Sequence, residues 1–447
     1  MTPIPTGIRH NWRQFLLLVL INAFVGGMVG LERTILPELA DTTFHLAAHT
    51  AVFSFILVFG LVKAASNFFA GKLAASISRK KLLILGWAFA LPVPWLLMWA
   101  PSWNWVVLAN VFLGINQGFA WSILVIMKID LSGERERGLA MGLNEFAGYL
   151  AGSLGAFLTG WIAAQYGLRP YPFYIGILFS VAGFLGSVFF VKDTYAHASQ
   201  EAARSSLPKL ENVFKETSWR HPNLGSVSQA GFFNNLNDGM VWGALPLLLA
   251  SRQFTLTQIG IISAAYPLVW GIGQLITGKM SDTWCKKDLL FYGMMLQAGS
   301  ILGFLWAGSF AANLLMAALL GWGTAMVYPT FLATIAENVH PSNRAESVGA
   351  FRLWRDLGYA AGAVLTGILA DAFSLQVAVA AIAMLTFGSA MVIWQRMYCL
   401  EKAPGALPEK RIVLPFLGKI KTSGPACRKT GNSLNSIALS HSFPLGA

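Results

Sequence analysis

Apolar residues in this chain come in long runs rather than in strict alternation. Twelve stretches of about 20 residues, long enough to cross a hydrocarbon core of roughly 30 Å, are separated by short polar breaks. They lie near 14–36, 48–71, 82–100, 105–128, 138–165, 171–192, 224–250, 257–280, 289–309, 311–336, 345–371 and 375–397. The pattern predicts an all-α membrane protein of twelve transmembrane helices. The first run is too long for a cleaved signal peptide and lacks a small-x-small cleavage site, so it is expected to remain as the first span. The stretch from Lys192 to Asn223 is polar and carries Pro208 and Pro222, which reads as a linker. Beyond Cys399 the chain turns rich in Pro, Gly, Ser and Lys with no period and is expected to be disordered. The predicted organisation is a terminus over 1–13, a six-helix bundle over 14–192, a linker over 193–223, a second six-helix bundle over 224–398 and a basic tail over 399–447.

Composition agrees with a membrane chain. Hydrophobic residues make up 55% and charged residues only 12%, where soluble proteins carry about 25% charged. The net charge of +12 changes the picture only through its placement. If the amino terminus is cytoplasmic and the spans alternate, most Lys and Arg residues fall on that side: Arg9 and Arg13, Lys72 with Arg79, Lys80 and Lys81, Lys128 with Arg135 and Arg137, the linker, Lys279 with Lys286 and Lys287, Arg344 and the tail. This positive-inside asymmetry predicts both termini in the cytoplasm of a bacterial inner membrane and argues against a nucleic-acid surface. Cys285, Cys399 and Cys427 all fall on the cytoplasmic side, where disulfides are rare, and receive no role. His45 and His49, near Glu38 and Asp41, read as a solvated loop without a third rigid ligand; no metal or cofactor is expected.

The chain repeats itself. Residues 70–86 read AGKLAASISRKKLLILG and residues 277–293 read TGKMSDTWCKKDLLFYG, so Gly71, Lys72, Lys80, Leu82, Leu83 and Gly86 return as Gly278, Lys279, Lys287, Leu289, Leu290 and Gly293. At the same offset Arg137, Gly142, Gly155, Thr159 and Gly160 return as Arg344, Gly349, Gly362, Thr366 and Gly367. Two pairs of segments sharing one offset predict two halves of parallel topology. Twelve spans in two halves, with a basic signature after spans 2 and 8 (Gly71, Arg79 and Lys80; Gly278, Asp282 and Lys287), resemble the major facilitator superfamily of secondary transporters. The resemblance covers roughly residues 12–398. It implies two pseudo-symmetric six-helix bundles around a central cavity lined by spans 1, 4, 7 and 10. The sequence departs from the family pattern in three places. Ala75 stands where the loop signature wants aspartate, Asn110 stands where span 4 wants arginine, and span 5 has Gly148, Gly152 and Gly155 but no proline.

Polar residues at helical spacing independently mark faces of the same four spans. These are Asn22 and Arg33 with Gly26 in span 1, Asn110, Gln117 and Trp121 with Gly114 in span 4, Asn234, Asn237 and Asp238 in span 7, and Thr324 and Tyr328 with Gly321 in span 10. They are read as substrate or proton contacts; the alternative is polar glue between helices. Asp238 lies about 21 Å along span 7 at 1.5 Å per residue, near the midplane. An ionised carboxylate there costs at least about 2.5–3.5 kcal/mol. Asp238 is therefore expected to exchange a proton or bind a cationic group.

Shallower ionisable residues suggest gate pairs. Glu145 in span 5 and Arg352 in span 11 share the repeat offset, Arg355 and Asp356 follow, and Lys63 sits at a comparable depth in span 2. A Glu145 pair with Arg352 or Arg355, and Lys63 with Asp356, would close the cytoplasmic side; bonding within one half is the alternative. Asp282 is expected to cap or pair at a neighbouring helix end, near Arg137 at the start of span 5.

Together these features predict a monomeric secondary active transporter in the lipid bilayer, coupled to protons and moving a small solute, with drug or metabolite efflux favoured over uptake. No G-x-x-x-x-G-K-[ST] phosphate loop is present to hold ATP, and no enzyme constellation is evident. The cavity residues suit an amphipathic cation, while Arg33 leaves an organic anion open. The alternative is a non-transporting sensor or assembly protein of the same fold.

Overall fold

The computed structural model describes residues 5–400 apart from Thr34 and Ala47; the side chains at 33, 37, 48–54, 56 and 256 also lie outside the described set. The expected site residue Arg33, the His49 side chain, Cys427 and the tail from 401 onward therefore fall outside the described residues.

Twelve long helices follow one another: α1 (Trp12–Arg33), α2 (Ala48–Leu73), α3 (Arg79–Met98), α4 (Trp103–Ser132), α5 (Arg137–Tyr166), α6 (Phe173–Phe189), α7 (Pro222–Ser251), α8 (Leu256–Thr283), α9 (Lys286–Gly303), α10 (Phe310–Asn338), α11 (Pro341–Ala372) and α12 (Leu375–Arg396). Among the described residues there is no strand. Among the described residues, seven helices are by themselves long and apolar enough to cross a membrane. α7 and α11 are not among them, because the first carries the run from Asn234 to Asp238 and the second carries Arg352, Arg355 and Asp356.

Within each half, small residues let two helices touch backbone to backbone. A Cβ added to Gly26 of α1 would lie 1.9 Å from the Gly148 carbonyl oxygen of α5, and one added to Gly362 of α11 would lie 2.2 Å from that of Leu236 in α7. Between the halves the repeat explains itself. Gly71 of α2 meets Ala345 and Gly349 of α11, and Gly278 of α8 meets Gly138 and Gly142 of α5. These are one contact made twice, since Gly71 and Gly278, like Gly142 and Gly349, are repeat mates. The two repeated glycine pairs thus encode a two-fold seam. It lies at the end that bears the α2–α3 and α8–α9 turns, termed the basic end. Further along the same two helices, nothing lies within 4 Å of a Cβ placed on Gly60 of α2 or on Gly260 or Gly271 of α8. The halves are sealed at the basic end.

Two features depart from the sequence expectations. α4 contains one π-helical turn, Gln117–Trp121, which widens the helix and shifts the polar stripe off uniform α spacing. Such bulges often occur at functional sites. Cys285 and Cys399 form a disulfide with Cα atoms 5.7 Å apart, correcting the expectation that they have no role. α9 packs on α12, which brings together residues 114 positions apart. Asp288 lies beside the pair, its ligand atom within 4.8 Å of both sulfurs, but a disulfide leaves no thiolate for a metal.

Candidate functional site

The centre of the molecule, just above the seam, is a layer of aromatic rings drawn from both halves. Trp121 of α4 and Tyr149 of α5 meet Tyr266 and Trp270 of α8 and Tyr328 of α10. Ring centroids are 4.1 Å apart for Tyr149 and Trp270, 5.3 Å for Trp270 and Tyr328, 5.7 Å for Trp121 and Tyr149, and 5.8 Å for Tyr266 and Trp270. The Tyr149 and Tyr328 hydroxyls are 3.2 Å apart across the interface. Asp238 sits at this layer, 7% exposed, and accepts a hydrogen bond from the Tyr266 hydroxyl. Thr324 donates to the Leu320 carbonyl and lies 3.5 Å from the same Tyr266 hydroxyl.

Beneath the rings is a buried charged layer. Arg352 Nη2 lies 3.4 Å from Glu145 Oε1, both side chains fully buried. The same Glu145 oxygen accepts from Trp121 Nε1 at 3.1 Å and from Asn144 Nδ2 at 2.8 Å. Lys128 donates to Asn144 Oδ1 at 2.5 Å. The expected Glu145–Arg352 pair across the halves is therefore present. Arg355 instead holds the adjacent Asp356, at 2.5 Å, and donates to the Tyr328 hydroxyl. Asp356 accepts from Asn67 of α2 at 2.5 Å, which makes a second tie between halves. Lys63 lies 5.6 Å above the Trp121 ring and within electrostatic reach of Asp356.

Several of the expected cavity residues bond to neighbouring helices. Asn234 accepts from Gln297 at 3.0 Å; Asn237 donates to Gln297 at 2.8 Å and accepts from Thr386 at 2.6 Å. Asn234 thus joins α7 to α9, and Asn237 joins α7 to both α9 and α12, inside one half. Asn22 donates to the Asn144 carbonyl and Gln117 to the Val25 carbonyl, so both tie helices of the first half. Asn110 donates to the Val106 carbonyl and bonds Glu32. Glu32 itself is buried in α1, with its Oε1 lacking a partner among the described residues. In sequence it adjoins Arg33 and stands outside the helical spacing of Asn22, Gly26 and Arg33.

The loop signatures are structural. Asp282 accepts from the backbone N–H groups of Gly138 at 2.6 Å and Leu139 at 3.0 Å, capping α5 of the other half near Arg137. Arg79 is buried against Asp130 at 3.1 Å, the Lys80 amide donates to Asp193, and Lys287 lies 4.9 Å over the Trp394 ring. Arg79, Lys128, Arg137 and Arg344, read as loop cations, are all buried. Ala75, the repeat mate of Asp282, has no carboxylate to offer. On that side the acid comes from the linker helix Tyr195–Arg204. Glu201 binds Arg344 through both its oxygens, at 2.6 and 3.0 Å, and also pairs with Arg137. Burial pushes the Glu201 carboxyl up, but the hydrogen bonds and charge of Arg344 and then Arg137 outweigh it and hold the group below the usual range. Arg137 also donates to the Ala336 carbonyl of α10 at 3.0 Å.

A family model described as Major Facilitator Superfamily matches residues 15–225 and 227–427. The chain belongs to the Major Facilitator Superfamily. It is accordingly an integral multi-pass membrane protein of a transporter family, not an enzyme. Multidrug resistance protein MdtG of Serratia proteamaculans is 22% identical over 92% of this chain and 98% of its own. Inner membrane transport protein YnfM of Escherichia coli is 28% identical over 40% of each chain. The crystal structure of the human organic anion transporter MFSD10 (TETRAN) superposes with a TM-score of 0.70 at 16% identity, over 85% of this chain and 99% of that one, which establishes the shared fold.

Proposed function

We propose that this superfamily member is a proton-coupled secondary transporter of the bacterial inner membrane, exporting a small solute by alternating access. The basic end faces the cytoplasm together with both termini, and the closed seam corresponds to the outward-facing state. The observation that carries this reading is the doubled glycine contact, Gly71 on Gly349 and Gly278 on Gly142, reinforced by the buried Glu145–Arg352 pair. A seam built from repeat mates at one end is half of a rocking pair; the other half is its opening while the far end closes. Asp238, held by Tyr266 beside the central rings, is the proton carrier, with the rings and Thr324 around the solute. Asn110 and Ala75 favour the non-transporting alternative, but Asn110 engages Glu32 and Glu201 supplies the acid that Ala75 lacks. The test is reconstitution in vesicles with an imposed pH gradient and a panel of solutes. Wild-type protein accumulates a solute; Asp238→Asn exchanges it down its own gradient but does not accumulate it. Specific binding with no flux in either protein would identify a sensor.

A further inference from the structure

The charged layer at the seam gathers four basic side chains. Lys128 of α4 and Arg352 of α11 lie within electrostatic reach of Glu145, and Lys63 of α2, Arg352 and Arg355 lie within reach of Asp356. The phenols of Tyr149 and Tyr328 also face the layer. At its centre is Arg352. Its side chain is wholly buried, one nitrogen reaches Glu145, and its Nε and Nη1 lack a partner among the described residues. Trp270 Nε1, buried in the ring layer, is likewise a donor lacking a partner among the described residues.

Buried donors left unpaired are costly, and a buried charge without full compensation more so. When the halves part at the basic end, this layer becomes the wall of the cavity that opens there. It then offers the open guanidinium edge of Arg352, with Lys128 beside it, next to a stack of aromatic rings. An organic cation entering from that side meets repulsion, whereas a carboxylate or phosphonate completes the Arg352 fork with two charge-assisted hydrogen bonds. We propose that the transported solute is an aromatic organic anion, its acidic group taken by Arg352 and Lys128 and its ring packed on Tyr149, Trp270 and Tyr328. This rests on the alternating-access reading, which exposes the layer, and replaces the cationic solute suggested by Asp238 alone.

The test uses two probes with one aromatic body and opposite charge, pyrenebutyrate and pyrenebutyl-trimethylammonium, binding to the full-length protein in nanodiscs and read by tryptophan-to-pyrene energy transfer. The expected result is anion binding at least about tenfold tighter than cation binding. Arg352→Gln should lose at least about tenfold in anion affinity, or 1.4 kcal/mol, with cation affinity unchanged or raised; Arg352→Lys should keep part of it. Glu145→Gln, which removes the competing carboxylate, should tighten the anion. The monodispersity of each variant is checked by size exclusion, and Arg352→Lys serves if Arg352→Gln fails to fold. Preference for the cation, equal binding of both probes, no binding of either, or anion affinity indifferent to Arg352 would each overturn the proposal. Charge-selective binding without exchange across vesicles would leave the anion site standing and defeat the transport reading. Transport of other solutes with no anion preference would do the reverse.

Discussion

Replacing Glu145 by Gln should tip the protein toward opening at the basic end. In the sealed state Glu145 and Arg352 are both inaccessible and 3.4 Å apart, and the guanidinium has no other carboxylate bonded to it among the described residues. Removing one member of a buried pair typically costs about 3–5 kcal/mol. Because water reaches Arg352 once the halves part, the penalty falls on the sealed state alone. At 1.4 kcal/mol per tenfold, the equilibrium shifts roughly a hundred- to several-thousand-fold toward the open form. Ser281 reports on it, since its side chain is fully buried in the seam against Gly138. With the three native cysteines changed to serine, Ser281→Cys is labelled by a membrane-impermeant maleimide applied to the basic side. Glu145→Gln should accelerate labelling strongly, and the double exchange Glu145→Arg with Arg352→Glu should partly reverse it. Unchanged labelling in Glu145→Gln would show that the pair does not hold the seam.

Gly142→Ala should have a similar effect for a steric reason, because the new Cβ would lie 2.3 Å from the Gln274 carbonyl oxygen; faster Ser281→Cys labelling checks it. Glu201→Gln should cost about 1.5–3 kcal/mol through the lost charge-assisted bonds to Arg344 and Arg137, seen as a lower Tm at neutral pH. The folded-state carboxyl of Glu201 is depressed. Its contribution is therefore complete above the ordinary glutamate range and fades as pH falls through the lower folded value. The Tm difference between wild type and Glu201→Gln should accordingly be constant near pH 7 and shrink below about pH 4. A difference that grows on acidification would contradict that sign.

The architecture was legible because the repeat left its mark on residues where a side chain would crowd a neighbouring backbone. Gly71, Gly142, Gly278 and Gly349 sit where two backbones touch, so their spacing encodes the seam itself. The Glu145–Arg352 pair followed from the same offset. Side-chain direction was less legible. Asn234, Asn237, Asn22 and Gln117 have helical spacing, but an amide facing a neighbouring helix leaves the same trace in sequence as one facing a cavity. Lys128 resembles a loop residue in sequence because a cation near the end of an apolar run looks like a terminator. Its place seven residues after Trp121, on the face of the same stripe, was the available signal. Glu201 had none, since one acid in a polar linker resembles any other, and the meeting of Cys285 with Cys399 depends on how α9 and α12 pack.

The central claim is that the two halves rock as bodies about the ring layer. Ser76 and Thr283 are repeat mates exposed at the basic end, and Tyr166 and Phe373 are repeat mates exposed at the other end. Spin-label distances across each pair, measured in wild type and in Glu145→Gln, test it directly. The account predicts that the Ser76–Thr283 distance lengthens while the Tyr166–Phe373 distance shortens. Distances that change in the same direction, or stay fixed at both ends while the solute still crosses, would contradict it.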